Sequence, residues 1–83
     1  MSDLDTSLVE YIRQTVKCLV DNPDKIEIRE EKGDRTSILT ISVAKEDVGK
    51  VIGKQGSIIS SIRKICENIA AKNNKRINIH VLD

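Results

Sequence analysis

Gly53 and Gly56 bracket one lysine and one amide, Lys54 and Gln55, and the four lie between two aliphatic pairs, Val51-Ile52 and Ile58-Ile59. A glycine at each end of a two-residue turn lets the backbone take conformations that a side chain forbids, and lets a second backbone approach closely. Ser57, directly after the turn, is suited to cap a following helix, whose first amides then point back at the turn. A lysine ammonium and a helix N-terminus aimed at one place attract a phosphate. Two apolar helices joined by such a turn suggest a clamp for a nucleic-acid backbone.

The charge distribution agrees. The 83-residue chain has a formal net charge of only +1, but residues 1–32 hold eight acids and five bases while residues 33–83 hold five acids and nine bases. Between Lys45 and Lys64, five bases (Lys45, Lys50, Lys54, Arg63, Lys64) stand against two acids, Glu46 and Asp47. The basic excess surrounds the turn, although lysines also simply solvate exposed helix faces. Lys50, Arg63 and Lys64 are candidates for peripheral charge.

The flanking pattern says what positions these groups. Leu4, Leu8, Ile12, Val16, Leu19 and Val20 recur at three- and four-residue steps, which predicts an amphipathic helix of about 15 residues capped by Asp5 or by Ser7 with Glu10. Asp21-Asn22-Pro23-Asp24 ends it. Lys25 to Glu31 and Thr36 to Val43 alternate, with Ile26 and Ile28, then Leu39, Ile41 and Val43, on one face; Lys32-Gly33-Asp34-Arg35 joins them as a hairpin turn. Ile38 lies off the apolar face. Lys45 to Ile52 is a short helix with Gly49 an interior glycine that lets another chain pack closely, Ser57 to Ala71 a longer one, and Arg76 to Leu82 a third strand. The predicted order is α-β-β-α-α-β, an α+β fold with a three-stranded sheet and helices packed on one face.

Composition narrows the function classes. One domain, residues 1–83, is all this length supports, and 39% apolar with 33% charged residues is a soluble globular balance. No apolar run approaches the roughly 18 residues of a membrane span, and the acidic start Met1-Ser2-Asp3-Leu4-Asp5 has no secretory pattern, so a cytoplasmic location is expected. Cys18 and Cys66 are expected as buried reduced thiols; with His80 they make no metal-ligand spacing. No cofactor is expected. No nucleophile–base pair or paired acids stand near the turn, so an enzyme is not expected; Glu46 and Asp47 are assigned capping or solvent-exposed roles.

Val51 to Ile59 resembles the V-I-G-x-x-G-x-x-I signature of KH domains, in which the loop joins two helices and clamps about four nucleotides of single-stranded nucleic acid. A helix and two strands precede the signature and nine residues follow Asn74, the arrangement of a type II KH domain. Over nearly the whole chain it is similar to the KhpA (YlqC-type) family of small bacterial KH proteins. That resemblance implies an RNA-binding protein or RNA chaperone, a larger KhpB-type (Jag) partner that carries a KH domain, a link to cell elongation and division, and self-association. Carried onto this chain, Gly53 and Gly56 let the sugar-phosphate chain approach, Lys54 neutralises a phosphate, Gln55 bonds a phosphate or ribose hydroxyl, and the amides at Gly56 and Ser57 add dipolar attraction at the helix start. Bases lie across a groove of Val51, Ile52, Ile59 and the second strand, with Ile52 and Ile59 leaning toward the groove and Val51, Ile58 and Ile62 toward the core. With no Phe or Trp and only Tyr11 aromatic, stacking platforms are absent.

Three other readings compete with this one. A nucleotide-binding P-loop fails because Gly49 and Gly53 have three residues between them instead of four, and Gln55 stands where a Ser or Thr is needed. A helix-turn-helix leaves the hairpin unexplained and offers mainly Ser60, Ser61 and Lys64 for reading bases. A protein-binding adaptor, dimerising through the surface near Gly49 and Ile52, is the stronger rival.

Overall fold

The computed structural model describes residues 3–82; Met1, Ser2 and Asp83, and the side chains of residues 3–6, which include Leu4 and the candidate cap Asp5, lie outside that description. Helix α1 spans Asp3–Leu19, strand β1 Glu27–Lys32, β2 Thr36–Ser42, helix α2 Val48–Ile52, α3 Ser57–Lys72 and strand β3 Arg76–Val81. Short 3-10 turns at Pro23–Lys25, Lys45–Asp47 and Lys54–Gly56 lead into β1, α2 and α3. This is the α-β-β-α-α-β order of a type II KH fold.

The apolar stripe of α1 buries Leu8, Ile12 and Val16, and Pro23 starts a 3-10 turn after the helix has closed at Leu19. Ser7 sits inside α1, which starts at Asp3, so it is not the cap. β1 runs antiparallel to β2, with Gly33 N–H donating to Thr36 O at 2.7 Å across the hairpin turn. β3 runs parallel to β2, joined by the α2–α3 crossover that a parallel pair requires. β2 is therefore the central strand, and β1 and β3 are the edges.

Alternation decides which face meets the helices. Ser37, Leu39 and Ile41 of β2 and Ile77 and Ile79 of β3 point into a core completed by Val51, Ile59, Ile62, Cys66 and Ala70. Ile26 and Ile28 pack half-buried against it, as the pattern foretold. The cysteines divide: Cys66 is buried and Cys18 exposed, both free. Cys18 flanks the apolar stripe of α1 rather than lying on it, which corrects the expectation that both are buried. Burial, with a smaller contribution from the Glu67 carboxylate, pushes the Cys66 thiol up to about 11, so it stays protonated and serves as a small apolar filler.

Candidate nucleic-acid interface

The turn between α2 and α3 is built from residues in left-handed or otherwise positive φ. Gly53 has φ 80° and ψ 173°, Gln55 φ 56° and ψ 29°, and Gly56 φ 76° and ψ 14°. Only Lys54 of the four has an ordinary φ. The two glycines are there for different reasons. A Cβ on Gly53 would lie 2.5 Å from Ile58 Cγ1, so Ile58 itself occupies the space of the missing side chain; a Cβ on Gly56 would meet nothing within 4 Å. Gly53 is thus needed for the internal packing of the turn as well as for φ, and Gly56 leaves the space above the turn open.

Gly53 N–H closes α2 on Gly49 O at 2.9 Å, and Gly56 N–H donates to Gly53 O at 3.1 Å. Gly56 precedes α3 without a side-chain cap, and Ser57 is already the first helical residue. Ser57 is therefore not the N-cap; its carbonyl accepts from Ser61 Oγ at 2.8 Å. Gly56 N–H and Ser57 N–H are both engaged inside the turn, by Gly53 O and Lys54 O, which corrects the expectation that these amides are offered to a ligand. The start of α3 has no capping side chain and lies beside the exposed Lys54 and Gln55, so its positive dipole end favours an anion.

The remaining candidates fare differently. Ile52 is half-buried, in keeping with a groove wall, but Ile59 is only 5% exposed and belongs to the core beside the fully buried Val51. That corrects the groove role expected of Ile59: with Ile58 pressed over Gly53, the next residue of α3 turns inward. Lys64 is exposed. Arg63 is half-buried, and its Nε donates to Ile79 O at 3.0 Å. Lys50 is not a free peripheral charge, because its Nζ lies 3.0 Å from Asp21 Oδ2 and 3.1 Å from Asp47 Oδ1.

Asp47 is the residue that sequence reasoning missed. It is fully buried, with no exposed area, and its carboxylate accepts from Asp21 N–H (3.2 Å), Asn22 N–H (3.0 Å), Asn22 Nδ2 (3.0 Å) and Lys50 Nζ (3.1 Å). Burial alone would raise its pKa, but the donors from the Asn22 side chain, Asp21 N–H, Lys50 and Asn22 N–H outweigh it and hold the carboxyl at about 2. Hydrogen bonds from Lys50 to Asp21 and Asp47 raise the lysine in turn. The assigned capping or exposed role is therefore corrected: Asp47 ties the end of α1 to the start of α2. Among the described residues no group of His, Cys, Asp and Glu could hold a metal.

The strand beside the turn is also not the one expected. β2 is paired on both sides, so its backbone has no free donors for a base edge. Arg76 N–H donates to Arg35 O and Leu82 N–H to Ile41 O, so the backbone N–H and C=O groups of even-numbered β3 residues face β2 and those of the odd-numbered ones face the open edge, while the side chains of Ile77 and Ile79 stay in the core. Ile79 O, held by Arg63, lies on that edge. α3 packs on β3, with Arg63, Glu67 and Ala71 at four-residue steps. A cleft lined by Glu67, Ala71, Lys75, Arg76, Ile77 and Asn78 follows, about 260 Å³ in volume.

Two helices joined by a four-residue Gly-x-x-Gly turn, over a sheet with β2 at its centre, define a KH domain of type II. The family model described as "KhpA/KhpB, KH domain" matches residues 9–81, and the chain belongs to that family, which is not an enzyme family. It is 39% identical over 74 residues to the RNA-binding protein KhpA of Chlamydia pneumoniae, covering 89% of this chain and 95% of that protein. It is 42% identical over 73 residues to the RNA-binding protein KhpA of Caldanaerobacter subterraneus subsp. tengcongensis, covering 88% and 97%. Among solved structures, Aquifex aeolicus Era bound to GDP and AlF4⁻ is similar with a TM-score of 0.58 at 17% identity, over 89% of this chain and 29% of that one; the likeness is of fold alone.

Proposed function

We propose that this chain is a cytoplasmic protein that binds single-stranded RNA, gripping the sugar-phosphate backbone at Gly53–Gly56 and serving as an RNA chaperone. The observation that carries the reading is the exposed Lys54 on a turn of positive φ residues, ahead of an uncapped helix start. The curated relatives bear the name of RNA-binding proteins, which supports the ligand class. Among the described residues no helix is long and apolar enough to cross a membrane.

In this mechanism a phosphate meets the Lys54 ammonium and the positive end of the α3 dipole, while the open space above Gly56 admits the sugar-phosphate chain. Gln55 supplies a hydrogen bond to phosphate or ribose hydroxyl. Bases then lie beyond Ile52 along α3 and the free edge of β3, where the odd-numbered backbone groups offer donors and acceptors. Affinity from one such domain without aromatic stacking is modest, and a linked or dimeric partner raises it through effective concentration. A KhpB-type (Jag) KH protein is the partner we propose, in post-transcriptional control linked to cell elongation and division; the joint KhpA/KhpB family supports that pairing.

The test is a fluorescence-anisotropy titration of mixed single-stranded RNA with wild type and Lys54→Asp/Gln55→Asp across a salt series. Aspartate tolerates the left-handed backbone at position 55 better than most residues, so the variant is expected to fold, which circular dichroism checks. Wild-type binding that weakens with salt, and at least about tenfold weaker binding by the folded variant, is expected. Equal binding by both proteins would sink the clamp.

A second reading, a protein–protein adaptor, is favoured by the exposure of Ile65 (45%) and Ile69 (38%) one turn apart on α3. The proposed homodimer surface near Gly49 and Ile52 belongs to the same reading; Gly49 is exposed, with open space where a Cβ would stand. Substitutions there that give monomers with unchanged RNA binding would separate the two surfaces.

A further inference from the structure

A second concentration of positive charge stands at the far end of α3, away from the turn. The hydrogen bond from Arg76 N–H to Arg35 O, 2.7 Å long, brings the α3–β3 turn against the β1–β2 hairpin. Arg35 and Arg76, both exposed, line one cleft there with the half-buried Lys75, and Lys72, also exposed, is the last residue of α3 before the turn. Asp34 is the acid of the hairpin turn, and Glu67 lines the approach from α3. No ion pair among the described residues engages Arg35 or Arg76, unlike Lys50, which two carboxylates hold.

This pole is continuous with the proposed RNA groove. The cleft along the free edge of β3 shares Ala71, Lys75 and Arg76 with a second cleft that reaches Arg35, Thr36 and Asn74. The two adjoining clefts form a track from Glu67 and Asn78 to the hairpin, starting one turn of α3 beyond Arg63, whose Nε holds Ile79 O. α3, 16 residues long, sets its ends about 24 Å apart at 1.5 Å per residue. Shallow clefts with cations spread along them suit a chain of phosphates, whereas a small anion needs convergent donors in one enclosed place.

We infer that the RNA track continues past the strand edge to a second phosphate-binding pole formed by Arg35 and Arg76. The domain then engages a strand longer than the roughly four nucleotides held by a KH clamp. The inference rests on the proposed RNA binding at Lys54, and adds a site that the turn does not contain.

The experiment compares a short oligoribonucleotide of about four nucleotides with a long one of about ten, within the range of single-strand site sizes. Wild type, Arg35→Gln/Arg76→Gln and Lys54→Asp/Gln55→Asp are titrated by anisotropy over a salt series, each first shown folded by circular dichroism. The arginine variant should bind the short strand as wild type does and the long strand about tenfold more weakly at low salt. Its log–log salt slope on the long strand should be shallower by about 1.4, from two lost phosphate contacts at about 0.7 each. An unchanged affinity and slope on the long strand would overturn the second pole while leaving the clamp intact. Equal loss on both strands would also overturn it, since the arginines would then act through the general field. If wild type bound neither strand, both readings would fall together.

Discussion

The two ends of α2 are ordered by opposite means. At its start, Asp47 has no exposed area and gathers four donors from the α1–β1 connection and from Lys50. At its end, positive φ at Gly53, Gln55 and Gly56 shapes the turn with little side-chain bonding, and Lys54 is left in solvent. Lys50 and Lys54 are four residues apart, yet one is consumed by carboxylates and the other is available to a ligand. The comparison teaches that a basic stretch read from sequence is not a binding surface until its internal acids are subtracted. Here the Asp47 tie fixes the helix, and the glycine turn hangs from it.

The largest single-residue stability effect is expected at the turn. Gly53→Ala forces a side chain into φ 80° and places its Cβ 2.5 Å from Ile58 Cγ1. Backbone at this positive φ with extended ψ is essentially glycine-only and costs about 1–3 kcal/mol for any other residue, and overpacking adds about 1–3 kcal/mol. Gly56→Ala meets open space, so it should lose only the backbone part, about 1–2 kcal/mol. Urea unfolding midpoints should rank wild type above Gly56→Ala and that above Gly53→Ala. A Gly53→Ala variant as stable as Gly56→Ala would show that Ile58 moves aside freely and that packing does not select glycine there.

Breaking the other end should produce a smaller loss that depends on pH. Asp47→Asn keeps the shape but has one acceptor oxygen where the carboxylate has two, and it abandons the charge facing Lys50. At neutral pH the variant should melt several degrees below wild type. Because the folded-state pKa, about 2, lies below the ordinary carboxylate value, the ionised group stabilises the fold fully above that ordinary value. The contribution is lost as pH falls from the usual carboxylate range toward 2. The gap between wild type and variant should therefore close over that interval, and thermal melts at stepped pH check it. A gap that stayed constant down to pH 2 would mean that Asp47 acts by shape alone.

How much of this was legible follows from the range of each interaction. Periods of 3.6 and 2 belong to contiguous residues, so α1, the hairpin, α3 and β3 could be read directly, as could the turn between Val51 and Ile59. Asp47 could not, because its partners Asp21 and Asn22 lie 26 and 25 positions away. Ile58 and Ile59 are adjacent on one apolar stripe, and which of them faces the core depends on how α3 leaves a turn of positive φ residues. Ser57 looks like a cap by residue type, but the helix starts one residue earlier than that role requires. That β3 and not β2 offers a free edge is a matter of strand order, which no local pattern states.

Glu67 sharpens the comparison at its weakest point. It is the acid lining the cleft between Arg63 and the Arg35–Arg76 pole, exposed and so well screened. Two unit charges about 4 Å apart in water interact by only about 1 kcal/mol, and salt reduces this further. If phosphates pass over the cleft, Glu67→Gln should tighten a long RNA strand about two- to threefold at low salt and leave a short strand at the turn unchanged. A carboxylate can also accept from the exocyclic amine of cytosine. In that case the same substitution would weaken cytosine-containing strands and spare the others, and the middle of the track would carry base contacts between two phosphate-binding ends. Titrating one long strand with cytosine and one without, against wild type and Glu67→Gln, decides between backbone and base at that position. No change on either strand would place Glu67 outside the track altogether.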